Sequence, residues 1–287
     1  MDDIYNWFSK NIDKTHVHGS NILTKIKNTK QTKNDKEDEL NIIVSKYKEW
    51  FEKNEQLIGY TDEIIEKRVK WLNEYKTAIK DVDYTAQSKF HSSVLEEFLY
   101  YLFRDLLKDI MNSINVENKK VQKISIGGIR AYSNLYFAPK DIQNFMQTSN
   151  MKINVKDQDF SIYRKVIIRA DDEQKTINVP IVSIECKTYI DKTMLEGSIA
   201  TADKIKNGNP YCLFLVVTET YDVSYEVDPA YSRIDQIYVF RKAKRRSNNN
   251  NSIDYLVVQD LFDFVKAHLL RDWSNIEKKL KQEGKIL

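Results

Sequence analysis

The segment from Val179 to Lys187 constrains the fold more than any other part of the chain. It reads as an apolar β-strand that ends in the triplet Glu185-Cys186-Lys187. Because side chains alternate across a strand, Glu185 and Lys187 share one face, while Cys186 points into the core with the apolar residues. Charges beside an apolar sheet are costly unless they have a partner or a chemical task. The segment therefore predicts a central strand that carries a paired or functional glutamate and lysine.

The Glu-x-Lys triplet is frequent in this chain, and only its setting makes the copy at Glu185 informative. Five other copies lie in polar or helix-like surroundings, where a solvent-exposed pair is the expected structure. Even in an apolar strand, a glutamate and a lysine at this spacing are more often an ion pair at a sheet edge than part of a site. A second acidic residue next to the pair is therefore required before the triplet indicates chemistry.

A β-hairpin supplies that second acidic residue. Two strand-like segments, at about 159–169 and 176–188, flank a polar turn. If the turn is centred between Asp172 and Glu173, residue 159 lies opposite about residue 186, with a register error of about two residues. The hairpin therefore predicts an aspartate beside the Glu-Cys-Lys triplet.

The resulting group of oxygen ligands suits a divalent cation. Asp157 has the same parity as Asp159, so spacing does not separate them, and we favour Asp159 because it lies nearer to the pair. Asp159, Glu185 and the backbone carbonyl of Cys186 would form an oxygen-rich pocket of the kind that Mg²⁺ prefers. Lys187 would hold or deprotonate the attacking water and offset charge on the phosphorus. Cys186 itself is expected to be a core side chain and not a nucleophile.

The chain changes character near residue 85. Residues 1–85 show helix-period apolar residues and a lysine-rich stretch at 25–36, which predicts a helical, partly basic region with a mobile segment; His16-Val17-His18 is expected to be flexible too. Residues 86–287 predict an α/β domain with a mixed sheet flanked by helices. Besides the hairpin, its predicted elements are a helix at 94–110, a strand at 124–137 bent at Gly127-Gly128, a helix at 193–205, strands at 211–218, 234–240 and 255–258, and a closing helix.

Composition limits the classes of partner. The 45 basic and 42 acidic residues give a net charge of +3, so binding to nucleic acid has to be argued from local patches. The lysine-rich stretch and the run Arg241–Arg246 are such patches, and each is either a phosphate-contacting segment or a solvent-exposed mobile one. Two cysteines fit a reducing compartment, and no apolar run reaches the roughly 20 residues of a membrane span. We expect a soluble cytoplasmic protein without membrane contact.

Several segments together resemble a known group of enzymes. Asp159 and Glu185-Cys186-Lys187, with 25 residues between them, match the PD-(D/E)xK nuclease signature, with Gln158 where the signature has proline. Over about residues 92–241 the chain resembles type II restriction endonucleases of the BbvCI kind. The segments that carry this resemblance are Ser93–Phe98, Lys156–Phe160, Val179–Lys187, Pro210–Leu213 and Ile234–Tyr238.

The resemblance implies a restriction-endonuclease-like core and a nuclease that uses one or two Mg²⁺ ions, with Mn²⁺ as a substitute. Such an enzyme hydrolyses double-stranded DNA at a short recognition sequence in restriction–modification defence, and residues 1–85 would help to clasp or read the DNA. One subunit cuts one strand and its partner the other, which implies a homodimer or a heterodimer with a related subunit. The family's helix before the sheet often lends a glutamate to the metal. We assign this role to Glu96, directly or through water; an exposed helical glutamate is the alternative, and Glu97 is expected to lie nearer the solvent.

Two other functions stay open from the sequence. A structure-specific repair or recombination nuclease on the same core would prefer branched or damaged DNA. A non-catalytic DNA-binding subunit would keep the charged residues only as an ion-pair network. Nicking of DNA with Mg²⁺, and its loss in Glu185→Ala, would separate an enzyme from such a subunit.

Overall fold

The computed structural model describes residues 2–32, 37–80, 90–114, 123–245, 251–284 and 286. The helices before the sheet are α1 (Asp2–Asn11), α2 (Val17–Thr32), α3 (Glu37–Gln56), α4 (Asp62–Ala78) and α5 (Phe90–Ser113). The sheet and its connecting helices are β1 (Ser125–Phe137), α6 (Ile142–Gln147), β2 (Met151–Ala170), β3 (Glu173–Ile190), α7 (Lys192–Gly208), β4 (Leu213–Tyr221) and β5 (Gln236–Val239). Helices α8 (Tyr255–Leu270) and α9 (Ile276–Lys278) follow the sheet.

The five strands form one mixed sheet in the order β1-β2-β3-β4-β5. The pairs β1–β2 and β2–β3 are antiparallel, whereas β3–β4 and β4–β5 are parallel. Strand β4 lies between two parallel neighbours, and its residues from Leu213 to Glu219 are all buried, as the continuous apolar run predicts. The α/β fold with a mixed sheet and flanking helices is therefore confirmed.

The register of the β2–β3 hairpin differs from the predicted one by two residues near the turn and by one residue at the site. Ala170 pairs with Glu173, so the connection consists of Asp171 and Asp172, and Asp171 has a left-handed φ of 49°. Aspartate tolerates this conformation better than most residues, which suits a two-residue hairpin turn. After a bulge, Phe160 pairs with Ile184, and this brings Asp159 level with Glu185. The predicted neighbourhood of residues 159 and 186 lies within the allowed register error.

The two faces of the sheet have separate cores. One face packs against α5 and α8 through a cluster that includes Phe160, Ile184 and Cys186. The other face packs against α7 through a smaller cluster that includes Leu195 and Val216. This alternation confirms that Cys186 is a core side chain and that Glu185 and Lys187 face the α7 side, as strand parity requires.

The N-terminal helices share the larger core with the sheet. The cluster on the α5 side contains Phe8 of α1, Tyr47 of α3 and Leu72 of α4 as well as residues of β2 and β3. Helix α5 touches α2 on one side and the sheet on the other, so it links the two regions. The predicted boundary at residue 85 lies outside the described residues.

One prediction for the N-terminal region is wrong, and part of a second one lies outside the described residues. His16 and His18 are buried, and His18 hydrogen-bonds to Ser93 Oγ at 3.0 Å and to Tyr75 OH at 2.6 Å. This segment is thus part of the core and not flexible, because both imidazole nitrogens of His18 find partners there. The lysine-rich stretch belongs to helix α2 as far as residue 32, and its remaining part, including Lys33 and Lys36, lies outside the described residues.

The strand predicted at residues 255–258 is also wrong, because these residues begin helix α8. Asp254 caps the helix, and its carboxylate accepts a hydrogen bond from the backbone N–H of Val257 at 3.2 Å. The apolar residues Leu256, Val257 and Val258 mimic a strand over four residues, whereas the longer helix-period pattern that follows decides the outcome. Strand β2 begins at Met151, eight residues before the predicted start at 159, and the short helix α6 was not predicted; the other predicted strands and helices of residues 86–287 are confirmed within a few residues.

No helix in the described part of the chain is long and apolar enough to cross a membrane.

The shared core predicts that the N-terminal helices and the sheet unfold together. Leu99 of α5 is fully buried in the larger cluster, and Leu99→Ala is expected to lower the free energy of unfolding by about 2–5 kcal/mol. Urea titration followed by both far-ultraviolet circular dichroism and tryptophan fluorescence should shift as one transition. Leu256→Ala is the matched control, because Leu256 is 67% exposed and its loss should change stability by less than about 0.5 kcal/mol. A shift seen by only one of the two probes would contradict the shared core.

Candidate active site

Two neighbouring strands bring Asp159, Glu185 and Lys187 together. Asp159 lies on β2 just before Phe160, whose side chain is buried in the larger cluster. Glu185 and Lys187 lie on β3, two residues apart, so they share a face. Antiparallel pairing of the two strands fixes their relative positions, since each slip of one residue would turn a side chain to the opposite face.

The three charged groups are in contact. Lys187 Nζ lies 3.5 Å from Asp159 Oδ2 and 3.7 Å from Glu185 Oε2. The same Asp159 oxygen accepts a hydrogen bond of 2.9 Å from the backbone N–H of Cys186. The Asp159 and Glu185 side chains are 17% and 12% exposed and that of Lys187 is 31% exposed, so the group is accessible to solvent but largely enclosed.

Strand parity leaves Asp157 and Asp159 equivalent, but the structure separates them. The Asp157 side chain is 90% exposed, and its nearest cation is Arg130 of β1, with Nε at 3.9 Å. Asp157 therefore faces the solvent beside β1, whereas Asp159 contacts both residues of the charged pair. The preference for Asp159 agrees with this placement.

A residue that the sequence reasoning missed holds Glu185. Ser198 of α7 donates a hydrogen bond of 2.6 Å to Glu185 Oε2, and Ser198 is only 1% exposed. Helix α7 begins at its cap, Asp191, directly after β3, which returns the helix across the site. A usable signal was present in the sequence, because Ser198 is a polar residue within the buried stripe formed by Leu195, Ala202 and Ile205.

Lys187 remains protonated at neutral pH. Burial alone would lower the pKa of its ammonium group, but the carboxylates of Asp159 and Glu185 outweigh burial and raise this pKa above its ordinary value. Burial, with the same carboxylates and Glu96 in addition, raises the pKa of the Cys186 thiol well above its usual range. A neutral buried thiol is a poor nucleophile, as expected for a core cysteine.

One of the two neighbouring glutamates of α5 lies in surroundings other than those expected. Glu96 is buried, and its charge contributes to the raised pKa of the Cys186 thiol, which lies on the α5 face of the sheet. Glu97 was expected nearer the solvent, and this is wrong: it is fully buried and accepts hydrogen bonds from Gly19 N–H at 3.0 Å and Tyr47 OH at 2.8 Å. Helices α2 and α3 cover this side of α5, so it has no solvent face there.

The carboxylate oxygens of the charged group suit a metal ion that takes few protein ligands. In the described part of the chain, no three or more histidine, cysteine, aspartate or glutamate side chains are arranged to hold a metal. Asp159 and Glu185 nevertheless offer two carboxylates that meet at a single ammonium group. Mg²⁺ suits such a pair, because it keeps several waters and takes one or two carboxylates plus substrate phosphate.

The protein is an α/β protein whose mixed sheet has helices on both faces and carries Asp159, Glu185 and Lys187 on the adjacent strands β2 and β3. A family model described as the Bpu10I restriction endonuclease matches residues 87–263, more than half of the chain. The chain therefore belongs to the Bpu10I restriction endonuclease family. A solved structure described as "native BbvCI A2B2 tetramer at low resolution" is similar to it with a TM-score of 0.67 and 20% identity, covering 90% of this chain and 97% of that chain. No curated protein matches.

The contacts of Lys187 predict its contribution to stability. Lys187→Met, measured in EDTA at neutral pH, is expected to lower the free energy of unfolding by about 1 kcal/mol, because two adjacent carboxylates then repel each other without a cation. Added salt should reduce this loss by screening the repulsion. Lys192→Met is the control, since Lys192 is an exposed partner of Glu196 in α7, and it should have little effect. Equal losses for the two variants in urea titrations would argue against the charged group.

Proposed function

We propose that this chain is a catalytic subunit of a type II restriction endonuclease that hydrolyses phosphodiester bonds of double-stranded DNA at a short recognition sequence. The observation that carries the proposal is the contact of Lys187 with both Asp159 and Glu185 across the β2–β3 pair. Two carboxylates and a lysine on adjacent strands provide ligands for a hard cation and a charge for the phosphate. Membership of the Bpu10I restriction endonuclease family supports the reaction class.

The proposed cofactor is Mg²⁺, one ion or two, with Mn²⁺ as a substitute. Asp159 and Glu185 would hold it through carboxylate oxygens and Cys186 through its backbone carbonyl, with Glu96 acting directly or through water. When bound, the cation polarises a phosphoryl oxygen and lowers the pKa of a water. Ser198 and the Cys186 N–H keep the two carboxylates in fixed orientations through their hydrogen bonds.

The positive charge of Lys187 determines its role in the proposed reaction. Its ammonium group carries hydrogen-bond donors only and is protonated at neutral pH, so it can hold a water or a phosphate oxygen by donation. It would offset the negative charge that builds up on the phosphate during attack. Proton removal from the attacking water would then fall to another group or to the substrate phosphate.

The proposed active assembly contains more than one subunit. The similar BbvCI structure is described as an A2B2 tetramer, and its match extends over nearly all of this chain. We infer that this chain pairs with a second copy or with a related subunit, each cutting one strand, and that residues 1–85 help to clasp or read the DNA.

The pair of aspartates on β2 provides a matched test. Asp159→Asn is expected to lower the rate of plasmid nicking in Mg²⁺ by at least about 100-fold, because a metal-binding carboxylate is lost. Asp157→Asn should keep the rate, since Asp157 is exposed and away from the charged pair. Supercoiled plasmid is incubated with each variant and the nicked and linear products are quantified.

The same assay discriminates between the remaining functions. Glu185→Gln and Glu185→Ala should lose cleavage together with Asp159→Asn, and nicking at discrete positions of unmodified plasmid supports restriction. Preference for branched substrates would favour a repair nuclease. Equal cleavage by wild type and Glu185→Ala would overturn the assignment of the site. If cleavage requires a second chain, the proposal of paired subunits stands, provided that Asp159→Asn abolishes cleavage by the mixture of the two chains.

Removal of the Ser198 hydroxyl is expected to change the Mg²⁺ dependence of cleavage with little change in the fold. Ser198→Ala removes the hydroxyl that holds Glu185, and the Mg²⁺ concentration for half-maximal nicking should rise by about 10-fold. Thr201→Val on the same helix is the control, because the Thr201 hydroxyl donates a hydrogen bond within α7, to Gly197 O at 2.9 Å. Thermal stabilisation by Mg²⁺ without DNA provides a second readout. An unchanged Mg²⁺ requirement for both variants would exclude a positioning role for Ser198.

A further inference from the structure

A cleft extends along β5 and reaches the carboxyl ends of β3 and β4. It has a volume of about 1310 Å³ and is bordered by Tyr189 of β3, Tyr221 of β4 and the segment Lys242–Arg245. Tyr189 is two residues beyond Lys187 on the same strand face, a step of about 7 Å. Ligands of open α/β sheets bind in crevices of this kind, outside the carboxyl ends of the strands.

The basic run at this cleft divides into cations that are paired with carboxylates and cations that lie over aromatic rings. Arg241 Nε lies 2.8 Å from the buried carboxylate of Glu219, and Lys242 Nζ lies 2.7 Å from Asp254. Lys244 Nζ lies 4.0 Å from the centre of the Tyr225 ring, and the Arg245 guanidinium lies 4.0 Å from the centre of the Tyr189 ring. Arg245 differs from Lys244 because its ring belongs to the strand that carries Lys187 and, among the described residues, it has no carboxylate within ion-pair distance. The rest of the run, from Arg246 onwards to residue 250, lies outside the described residues.

The backbone holds Arg245 at this position. Its N–H donates a hydrogen bond of 2.7 Å to Asp222 Oδ1 just beyond β4, and Tyr221 N–H donates one of 3.0 Å to Ala243 O. Stacking on an aromatic ring leaves the N–H groups at the edge of a guanidinium free to bind a phosphate, and it limits the conformational freedom lost on binding. Arg245 is thus a pre-oriented cation about one strand step beyond Lys187.

Four carboxylates also border the cleft, and each one accepts a hydrogen bond from a backbone N–H group, which fixes its orientation without removing its charge. The acceptors and their donors are Asp191 with Met194 N–H, Asp222 with Arg245 N–H, Asp228 with Ala230 N–H and Asp235 with Phe214 N–H. Asp235 also pairs with Lys206. These carboxylates therefore have fixed positions in the cleft, and the Arg245 guanidinium forms an ion pair with none of them.

We propose that Arg245, held on the ring of Tyr189, binds a phosphate of the DNA strand next to the cleavage position, and that the cleft receives this strand. The proposal rests on the proposed nuclease function for the identity of the ligand. It assigns the basic run a divided role: Arg241 and Lys242 fix the loop, and Arg245 contacts the substrate. Such a contact is sequence-independent and depends on salt.

The test measures binding of the full chain to a fluorescein-labelled duplex of about 30 base pairs in EDTA, between about 50 and 200 mM NaCl. Arg245→Gln should weaken binding by about tenfold at 0.1 M NaCl and lower the slope of log K against log salt by about 1. Lys242→Gln is the control with the same loss of charge in the same loop, and its slope should match that of the wild type. Tyr189→Phe should retain wild-type binding, whereas Tyr189→Leu should weaken it without any change of charge.

The outcomes separate this proposal from the nuclease function. If the wild type binds and cuts DNA but Arg245→Gln behaves like Lys242→Gln, the role of Arg245 is wrong and the nuclease proposal stands. If Arg245→Gln lowers the slope of log K against log salt by about 1 but the wild type does not cut DNA, the phosphate contact stands and the nuclease proposal is overturned. If the wild type does not bind the duplex even at the lowest salt, both proposals are overturned. Thermal unfolding of each variant identifies any loss of binding that comes from misfolding.

Discussion

The candidate site depends on the antiparallel pairing of β2 with β3. This pairing directs Asp159 towards the end of β3, where its carboxylate accepts the Cys186 N–H at 2.9 Å and lies 3.5 Å from the ammonium of Lys187. A bulge between Ile162 and Tyr163 changes the register by one residue between the turn and the site. Without that bulge, the pairing near the turn would continue unchanged, and Asp159 would lie opposite Ile184, one residue before Glu185. A local irregularity therefore contributes to the placement of a functional side chain.

Much of this arrangement can be predicted from sequence, because it follows from short-range periodicity. Alternation along Val179–Lys187 predicts the shared face of Glu185 and Lys187, and two strand-like segments with a polar turn predict the hairpin. The parts that could not be predicted depend on contacts between distant elements. Glu97 is buried because α2 and α3 cover α5, and nothing in the local pattern around Glu97 reveals that cover. His18 is buried for the same reason, through partners 57 and 75 residues away in sequence.

Helix α5 explains why the N-terminal helices matter to the site. Its neighbouring residues Glu96 and Glu97 serve different sides: Glu97 binds Gly19 and Tyr47 of the N-terminal layer, and Glu96 influences the thiol of Cys186 on β3. The buried carboxylate of Glu97 has a raised pKa, first because of burial, although its hydrogen bonds and His16 oppose this. A buried acceptor with this many partners fixes the rotation of α5 about its axis. The same rotation decides where Glu96 points, so the N-terminal layer takes part in arranging the sheet side of the helix.

The local ion pairs of this protein indicate which of its cations can bind DNA better than its net charge does. With 45 basic and 42 acidic residues, the net charge alone provides little attraction to DNA. A cation is informative only after its partners are known: the carboxylates of Glu219 and Asp254 occupy Arg241 and Lys242, while an aromatic ring supports Arg245. An aromatic ring orients a guanidinium without neutralising it, whereas a carboxylate does both. In this run of adjacent basic residues, Lys244 and Arg245 both lie over aromatic rings, and Arg245 is the one whose ring, that of Tyr189, belongs to the strand that carries Lys187.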